Sequence, residues 1–125
     1  MFIYANFCIQ SKAFTKAEKL LRSRFGQHEM EIYRELNGLI ARLKHRTYKI
    51  QLLIVCIHDA AVVDSIETHK ELLKELDVIF LLKPGSKEQN KRLYTFFPRI
   101  ILRVNRDEEI LFAYTSLKAS QNHAV

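Results

Sequence analysis

Two nearly uninterrupted apolar runs constrain this sequence more than any other feature. They are IQLLIVCI at residues 50–57 and DVIFLLK at residues 77–83. A strand built from such a run has no polar side for solvent, so both runs predict strands covered on two faces, as in parallel sheets. Residues 64–76 between them have helical periodicity, and Asp64 with Glu67 gives a capping-box-like start. This strand–helix–strand unit predicts parallel neighbours joined by a right-handed crossover.

The first 47 residues predict one strand followed by two helices. Residues 2–9, FIYANFCI, have the aromatic and β-branched composition of a short strand. Ser11 can cap a helix over residues 11–25, and apolar residues continue at helical spacing through residues 28–46. Residues 28–46 have acidic side chains near their start and basic side chains near their end, which suits the helix macrodipole. We therefore expect residues 28–46 to be helical throughout.

The pattern changes in the last third of the chain. A short helix over residues 87–97 precedes two strand-like segments, PRIILRV at 98–104 and EEILFAYTS at 108–116. The polar turn NRDE between them is short enough for a hairpin, so the two strands are expected to be antiparallel. The predicted fold class is therefore α/β, with a mixed sheet of parallel core strands and a C-terminal antiparallel hairpin, and with helices on both faces.

From Ile50 onward the order of segments resembles the thioredoxin fold, in which parallel strand–helix units are followed by a proline that opens a hairpin. The resemblance covers residues 50–117, and Pro98 matches the family's cis-proline, which lies beside the active site. The family's CxxC motif is missing, because the matching segment HDAAVVDS contains no cysteine. The resemblance implies a thioredoxin-like arrangement without dithiol chemistry.

A second resemblance, ranked below the first, is to response-regulator receiver domains. LLIVCIHDAA and IFLLKPGS are similar to the last two strands of a receiver, whose final strand ends in lysine and proline, matched here by Lys83 and Pro84. Receivers also carry an acidic pair after the first strand and an acceptor aspartate after the third. The start of this chain, MFIYANFCIQ, contains no acid, so this resemblance implies a receiver-like chain without that acidic site.

A candidate ligand site follows from the predicted sheet, because ligands of open α/β sheets bind outside the carboxyl ends of the parallel strands. His58 and Asp59 end one predicted strand, and Lys83 and Ser86 follow the next. In the thioredoxin-like arrangement Pro98 and Arg99 join them. The predicted ligand site therefore comprises His58, Asp59, Lys83, Ser86, Pro98 and Arg99.

An enzyme with a site near His58, Asp59 and Lys83 is one alternative. A His–Asp pair can orient a general base, but neighbouring side chains in extended chain point apart, and no nucleophile stands clearly beside them. No CxxC, HxxxH or HExxH spacing occurs, so neither a metal nor a cofactor is expected. More weakly, the spacing of Cys8 and Ser11 resembles single-cysteine redox motifs.

A nucleic-acid or other anion-binding protein is the other alternative. The chain has 20 basic and 14 acidic side chains, giving a net charge of +6. No acid occurs between Glu35 and Asp59, and the basic helices at 11–25 and 28–49 could contact phosphates. The candidate anion-binding residues are Arg42, Lys44, Arg46 and Lys49.

The leading functional interpretation is a non-catalytic regulatory or protein–protein interaction module that associates with itself. Eight Phe and five Tyr exceed what a small core obviously needs, and a terminal hairpin offers an edge that a partner can cover. The 125 residues suit one domain, with an N-terminal part at 1–47, a core at 48–117 and a tail at 118–125. The longest apolar run is too short to span a membrane, and the N-terminus lacks signal-peptide features. A soluble cytoplasmic protein is therefore expected.

Overall fold

The computed structural model describes residues 1–26, 29–45, 50–83 and 90–122. Within them, strands and helices alternate almost regularly. The strands are β1 (Phe2–Ala5), β2 (Met30–Tyr33), β3 (Leu52–Ile57), β4 (Val78–Leu82) and β5 (Ile100–Arg103). The helices are α1 (Lys12–Phe25), α2 (Leu36–Lys44), α3 (Ala60–Glu67), α4 (Lys70–Lys74), α5 (Asn90–Tyr94) and α6 (Glu108–Asn122).

The five strands form one parallel sheet in the order β2-β1-β3-β4-β5. The chain starts near the middle of the sheet, adds β2 on one side, and then adds β3, β4 and β5 on the other. This is the flavodoxin-like doubly wound order, which receiver domains share. The predicted α/β class and the parallel β3–β4 pair are confirmed, and β1 and β2 belong to the same sheet as the later strands.

Helices cover both faces of the sheet, and each face has its own core. On the face that we call the α2–α5 face, Val55, Phe80 and their neighbours pack against side chains of α2, α3, α4 and α5. On the opposite α1/α6 face, alternate strand residues such as Tyr4 and Ile54 pack against α1 and α6. Every residue of β1, β3 and β4 is buried, as continuous apolar strands covered on two sides require.

The prediction of one helix over residues 28–46 is wrong at its start, because Met30–Tyr33 form strand β2. This segment pairs in parallel with β1, with Phe2 opposite Met30, and only Met30 of its four residues is fully buried. The helical stripe of the sequence begins at Leu36, where α2 starts. Pairing with the open side of β1 outweighs the helical preference of a short, half-buried segment, because it satisfies a row of backbone groups.

The predicted C-terminal hairpin is also wrong. The strand predicted at 108–116 lies in helix α6, and β5 pairs with β4 in parallel. Leu111 and Thr115 are buried one helical turn apart, so the helix turns this side toward the sheet. The carboxylate of Asp107 accepts a hydrogen bond from the backbone N–H of Arg103 at 2.7 Å, which folds the chain back into the helix. The thioredoxin-like arrangement depends on the antiparallel hairpin and is not supported.

Candidate functional site

The carboxyl ends of the five strands form one edge of the sheet, which we call the carboxyl edge. The residues that follow β1, β2, β3 and β4 are Asn6, Arg34, His58 and Lys83. All four are polar, whereas the strands that precede them are largely buried. In the order 2-1-3-4-5 the connections diverge between β1 and β3, and this switch point is where doubly wound sheets bind ligands. Asn6 and His58 flank it.

Asn6 is a fully buried polar residue, with a relative exposure of 0%. Its backbone N–H donates to the carbonyl of Tyr33 at 3.1 Å, and its side-chain Oδ1 accepts the backbone N–H of Cys8 at 3.1 Å. These bonds fix the turn that follows β1. The amide Nδ2 has no hydrogen-bond partner among the residues that the structure describes, so a buried donor remains unsatisfied at the switch point.

His58 and Lys83 meet across the ends of β3 and β4. Ile57 is paired with Leu82, so the next residue of each strand stands beside the other, and Lys83 Nζ lies 3.5 Å from His58 Nε2. An ammonium group has only donors, so this contact is a hydrogen bond in the tautomer in which His58 Nε2 accepts and Nδ1 carries the proton. His58 Nδ1 is buried and also lacks a partner within the described part of the chain.

These three side chains belong to the same face of the sheet. Side chains alternate between faces along a strand, and Tyr4, Cys56 and Leu81 pack in the α1/α6 core. Asn6, His58 and Lys83 each lie two residues beyond one of these, so the alternation places all three toward α1 and α6.

The acids at the carboxyl edge are engaged elsewhere. Asp59 is exposed and caps α3, its Oδ1 accepting the backbone N–H of Val62 at 3.2 Å. Asp107 accepts the Arg103 backbone N–H and pairs with the guanidinium of Arg106 at 3.0 Å. The hydrogen bond from Arg106 lowers the pKa of the Asp107 carboxyl, against the opposing effect of burial.

The structure brings only part of the predicted ligand site together. His58 and Lys83 are in contact, and Asp59 is adjacent but serves as a helix cap. Pro98 and Arg99 lie at the amino end of β5, which is the opposite edge of the sheet because β5 is parallel. No cis peptide bond is found in the described residues, Pro98 included. Ser86 lies outside the residues that the structure describes.

The receiver-like match of Lys83 is displaced by one strand. That comparison put Lys83 and Pro84 at the end of the final strand, but Lys83 follows β4 and the chain continues to β5. Pro84 itself lies outside the described residues. The lysine still reaches the carboxyl edge, since β4 is parallel to its neighbours.

The candidate anion-binding residues of the second helix are not a free basic cluster. The guanidinium of Arg42 pairs with Glu31 at 2.8 Å and donates to the carbonyl of His45 at 3.1 Å, and its side chain is only 11% exposed. Lys44 is exposed at the end of α2. Arg46 and Lys49 lie outside the described residues.

Helix α1 has a more continuous basic surface than its sequence indicates. Its single acid, Glu18, is buried and forms a two-bonded ion pair with Arg34 at 2.6 and 2.8 Å. The charged side chains on the outward side of α1 are therefore all basic. The exposed bases are Lys12, Lys16, Lys19, Arg22 and Arg24.

The two cysteines are free thiols in different surroundings. Cys56 is buried beneath α1 beside the hydroxyl of Tyr4, and burial raises the pKa of its thiol well above its ordinary value. Cys8 Sγ contacts Gln10 Oε1 at 3.6 Å on the surface. A thiol with a raised pKa is a poor nucleophile because the thiolate is the reactive form.

Two features of the surface were missed by the sequence analysis. The first is Asn6, which lay inside the predicted strand at 2–9; its place in the alternation after Phe2 and Tyr4 was the available signal. The second is an apolar stripe on the outward side of α6, formed by Ile110, Ala113 and Leu117 at helical spacing. Ile110 is 48% and Leu117 56% exposed. The sequence analysis missed this stripe because it placed residues 108–116 in a strand.

Within the described ranges, no group of three or more His, Cys, Asp or Glu side chains could hold a metal ion. None of the helices there has the length and apolarity that crossing a bilayer requires. Comparison with protein-family models, with curated proteins and with solved structures gives no match. The residues of this chain must therefore carry any functional conclusion.

Proposed function

We propose that this chain is a non-catalytic regulatory or protein-interaction domain that pairs with a second copy of itself through α6. The observation that carries the proposal is the apolar stripe Ile110–Ala113–Leu117 on the outward side of that helix. Leu111 and Thr115 already bury the opposite side of α6 in the core. A helix that is apolar on both sides needs a second partner, because the outward stripe otherwise stays in water.

The stripe is suited to a twofold interface. In an isologous dimer the same patch lies on both subunits and contacts itself. If two α6 helices pack antiparallel about a point between Ala113 and Tyr114, Ile110 of each copy stands opposite Leu117 of the other. The small Ala113 near the centre lets the helices approach closely.

The charges at the two ends of α6 favour the same antiparallel pairing. Glu108 and Glu109 begin the helix, and Glu109 is exposed. At the other end Lys118 and Arg99 both pair with Asp77, and the Arg99 guanidinium is well exposed. Antiparallel packing brings the acidic end of one helix to the basic end of the other, which orients the pair.

A catalytic role is less well supported by the geometry. Nε2 of His58 faces the Lys83 ammonium, Asp59 caps α3, and the thiol of Cys56 is enclosed in the core. No hydroxyl or thiol is hydrogen-bonded to His58 among the described residues, so a nucleophile–base pair is not assembled.

Light scattering on a gel-filtration peak tests the proposal. The expected mass is twice the chain's 14.7 kDa, at both low and high salt, because apolar contact contributes most of the interface. Leu117→Asp places a charge opposite Ile110 of the other copy and is expected to give a monomer with unchanged circular dichroism. Leu20→Asp is the matched control, since Leu20 is a similarly exposed leucine on α1.

A monomeric wild-type protein at tens of micromolar would overturn the proposal. It would also fail if Leu117→Asp and Leu20→Asp lowered the mass equally, because the α6 stripe would then have no special role.

A second function is favoured by the basic surface of α1. With Glu18 withdrawn into its ion pair, the exposed bases of α1 could contact an anionic polymer such as nucleic acid. Absorbance at 260 nm on the same peak separates the two functions. Nucleic acid that is carried at low salt and lost at high salt would favour the α1 surface, since phosphate contacts weaken steeply with salt.

A further inference from the structure

We infer that the carboxyl edge holds an oxyanion, with phosphate as the fitting chemical class, bound by Asn6, His58 and Lys83. This inference is independent of the proposed self-association, because α6 contributes none of the three residues. A small anion would then bind on the same side of the sheet as α1 and α6.

The strongest support is that these groups offer hydrogen-bond donors, while their own acceptor atoms are already in use. Asn6 Nδ2 and His58 Nδ1 are buried donors without an acceptor among the described residues. Lys83 has three N–H donors, and its contact with His58 Nε2 uses one of them. These three side chains offer donors and positive charge, and their own acceptors are already occupied, so they need acceptor oxygens beyond those of the described residues.

The placement agrees with this requirement. The three residues follow neighbouring strands β1, β3 and β4, share the α1/α6 face, and flank the switch point of the sheet. His58 and Lys83 are half-buried and therefore partly accessible from solvent, whereas Asn6 is fully buried. The nearby carboxylates of Asp59 and Asp107 are held by α3 and by Arg103 and Arg106.

An oxyanion fits better than a metal ion or a neutral ligand. A cation would be repelled by Lys83, and a neutral donor group would meet more donors. Phosphate carries several acceptor oxygens around one centre, so it can accept from donors on three strands at once, and charge-assisted bonds of this kind are the stronger ones. A carboxylate is the smaller member of the same chemical class.

Nuclear magnetic resonance of the ¹⁵N-labelled full chain tests the inference directly. The side-chain NH2 of Asn6 and the ring nitrogens of His58 are followed while inorganic phosphate replaces chloride at constant ionic strength. We expect saturable shifts of both residues with one shared Kd. Titration with acetate determines whether a carboxylate binds as well as phosphate. Shifts that are absent, or that do not saturate, would overturn the inference.

Two variants make the assignment specific. Lys83→Gln removes the charge but keeps a polar side chain, and it should weaken phosphate binding about tenfold or more. Lys91→Gln is the matched control, because Lys91 is an exposed lysine of α5, and it should leave the Kd unchanged. Asn6→Asp keeps the Oδ1 acceptor for the Cys8 N–H but replaces the free donor with a carboxylate, so saturable binding should be lost.

The variants also separate an ion from a buried water. If water is the only acceptor at Asn6 Nδ2, the Asn6 signals will not change with phosphate, and Lys83→Gln will behave like Lys91→Gln. That result would contradict the inference whether or not Asn6→Asp remains folded.

Discussion

The two faces of the sheet differ in kind, although the same strands supply both. The α2–α5 core is built from aliphatic and phenylalanine side chains, including the edge-to-face pair of Phe80 and Phe96 at 5.5 Å. The α1/α6 face contains the buried polar groups: Tyr4, Asn6, Glu18, Cys56 and Thr115. The candidate oxyanion site, the basic surface of α1 and the outward stripe of α6 all belong to this second side.

We expect this difference to separate the residues that stabilise the fold from those that bind. An apolar core contributes free energy in proportion to the area that it removes from water, and it needs no specific partners. Buried polar groups contribute little net free energy, yet each must be satisfied, so they fix geometry rather than add stability. The α2–α5 face is therefore expected to dominate the free energy of unfolding, and the α1/α6 face to dominate binding.

The largest expected effect is on the apolar face. Phe80→Ala removes a fully buried ring from a central strand and its contact with Phe96, and it should lower the free energy of unfolding by about 3–5 kcal/mol. Urea denaturation followed by circular dichroism measures it. A loss below about 1 kcal/mol would mean that this face can collapse around the cavity, and the comparison of the two faces would lose its basis.

A smaller effect is expected on the polar face. The hydroxyl of Tyr4 donates to the carbonyl of Phe14 in α1 at 2.6 Å, so Tyr4→Phe removes this bond but keeps the ring. The free energy of unfolding should fall by about 1–2 kcal/mol in the same denaturation experiment. If Tyr4→Phe costs as much as Phe80→Ala, the polar network is a main source of stability and the division between the faces is wrong.

The contrast also explains what the sequence could predict of the fold. The β3 and β4 strands are apolar along their whole length. A strand of this kind must be covered on both faces, as in a parallel sheet, so their pairing was predictable. Strand β2 and helix α6 are ambiguous because their apolar residues are spaced for more than one structure. In α6, Ile110, Phe112 and Tyr114 alternate as in a strand, while Leu111 and Thr115 also recur at helical spacing. Contacts with the rest of the fold determine the structure of both segments: β2 pairs with β1, and α6 packs against the sheet.

The candidate site was predictable in part for a related reason. His58 and Lys83 end two apolar runs, so their place at the carboxyl edge followed from the runs alone. Arg99 was assigned to that edge only through the hairpin, and a parallel β5 moves it to the other end of the sheet. Asn6 required knowing where β1 ends, and the burial of one amide nitrogen is not encoded in any local pattern.

A still smaller effect concerns how α6 is attached to the sheet. Asp77 pairs with Lys118 of α6 and with Arg99. Burial alone would raise the pKa of the Asp77 carboxyl, but the hydrogen bonds from these two bases outweigh it and lower the pKa. A depressed folded pKa stabilises the protein above the ordinary carboxyl pKa, and this stability is lost as pH falls through the folded value. Asp77→Asn should therefore cost about 1 kcal/mol or less at pH 7, and the cost should decrease progressively as pH falls below about 4.

The measurement for Asp77 is urea unfolding of wild type and variant from pH 7 down to pH 3. Phe80→Ala, which removes no titratable group, is the control, and its loss of stability should persist at low pH. A wild-type advantage that persists unchanged at the lowest pH would show that the ion pairs of Asp77 do not attach α6 as described.

The smallest expected effect tests an exception on the apolar side of the molecule. Phe97 has a left-handed backbone with φ of 51° and is 74% exposed, next to the fully buried Phe96. Phe97→Gly relieves a backbone cost of roughly 1–2 kcal/mol. It loses the contact of the ring with the Lys74 ammonium, about 0.5 kcal/mol, and frees the unfolded chain by about 0.5–1 kcal/mol. The free energy of unfolding should therefore rise slightly or stay within about 0.5 kcal/mol, whereas Phe96→Ala loses about 3–5 kcal/mol in the same assay. A loss above about 1 kcal/mol for Phe97→Gly would instead make the ring part of the apolar core.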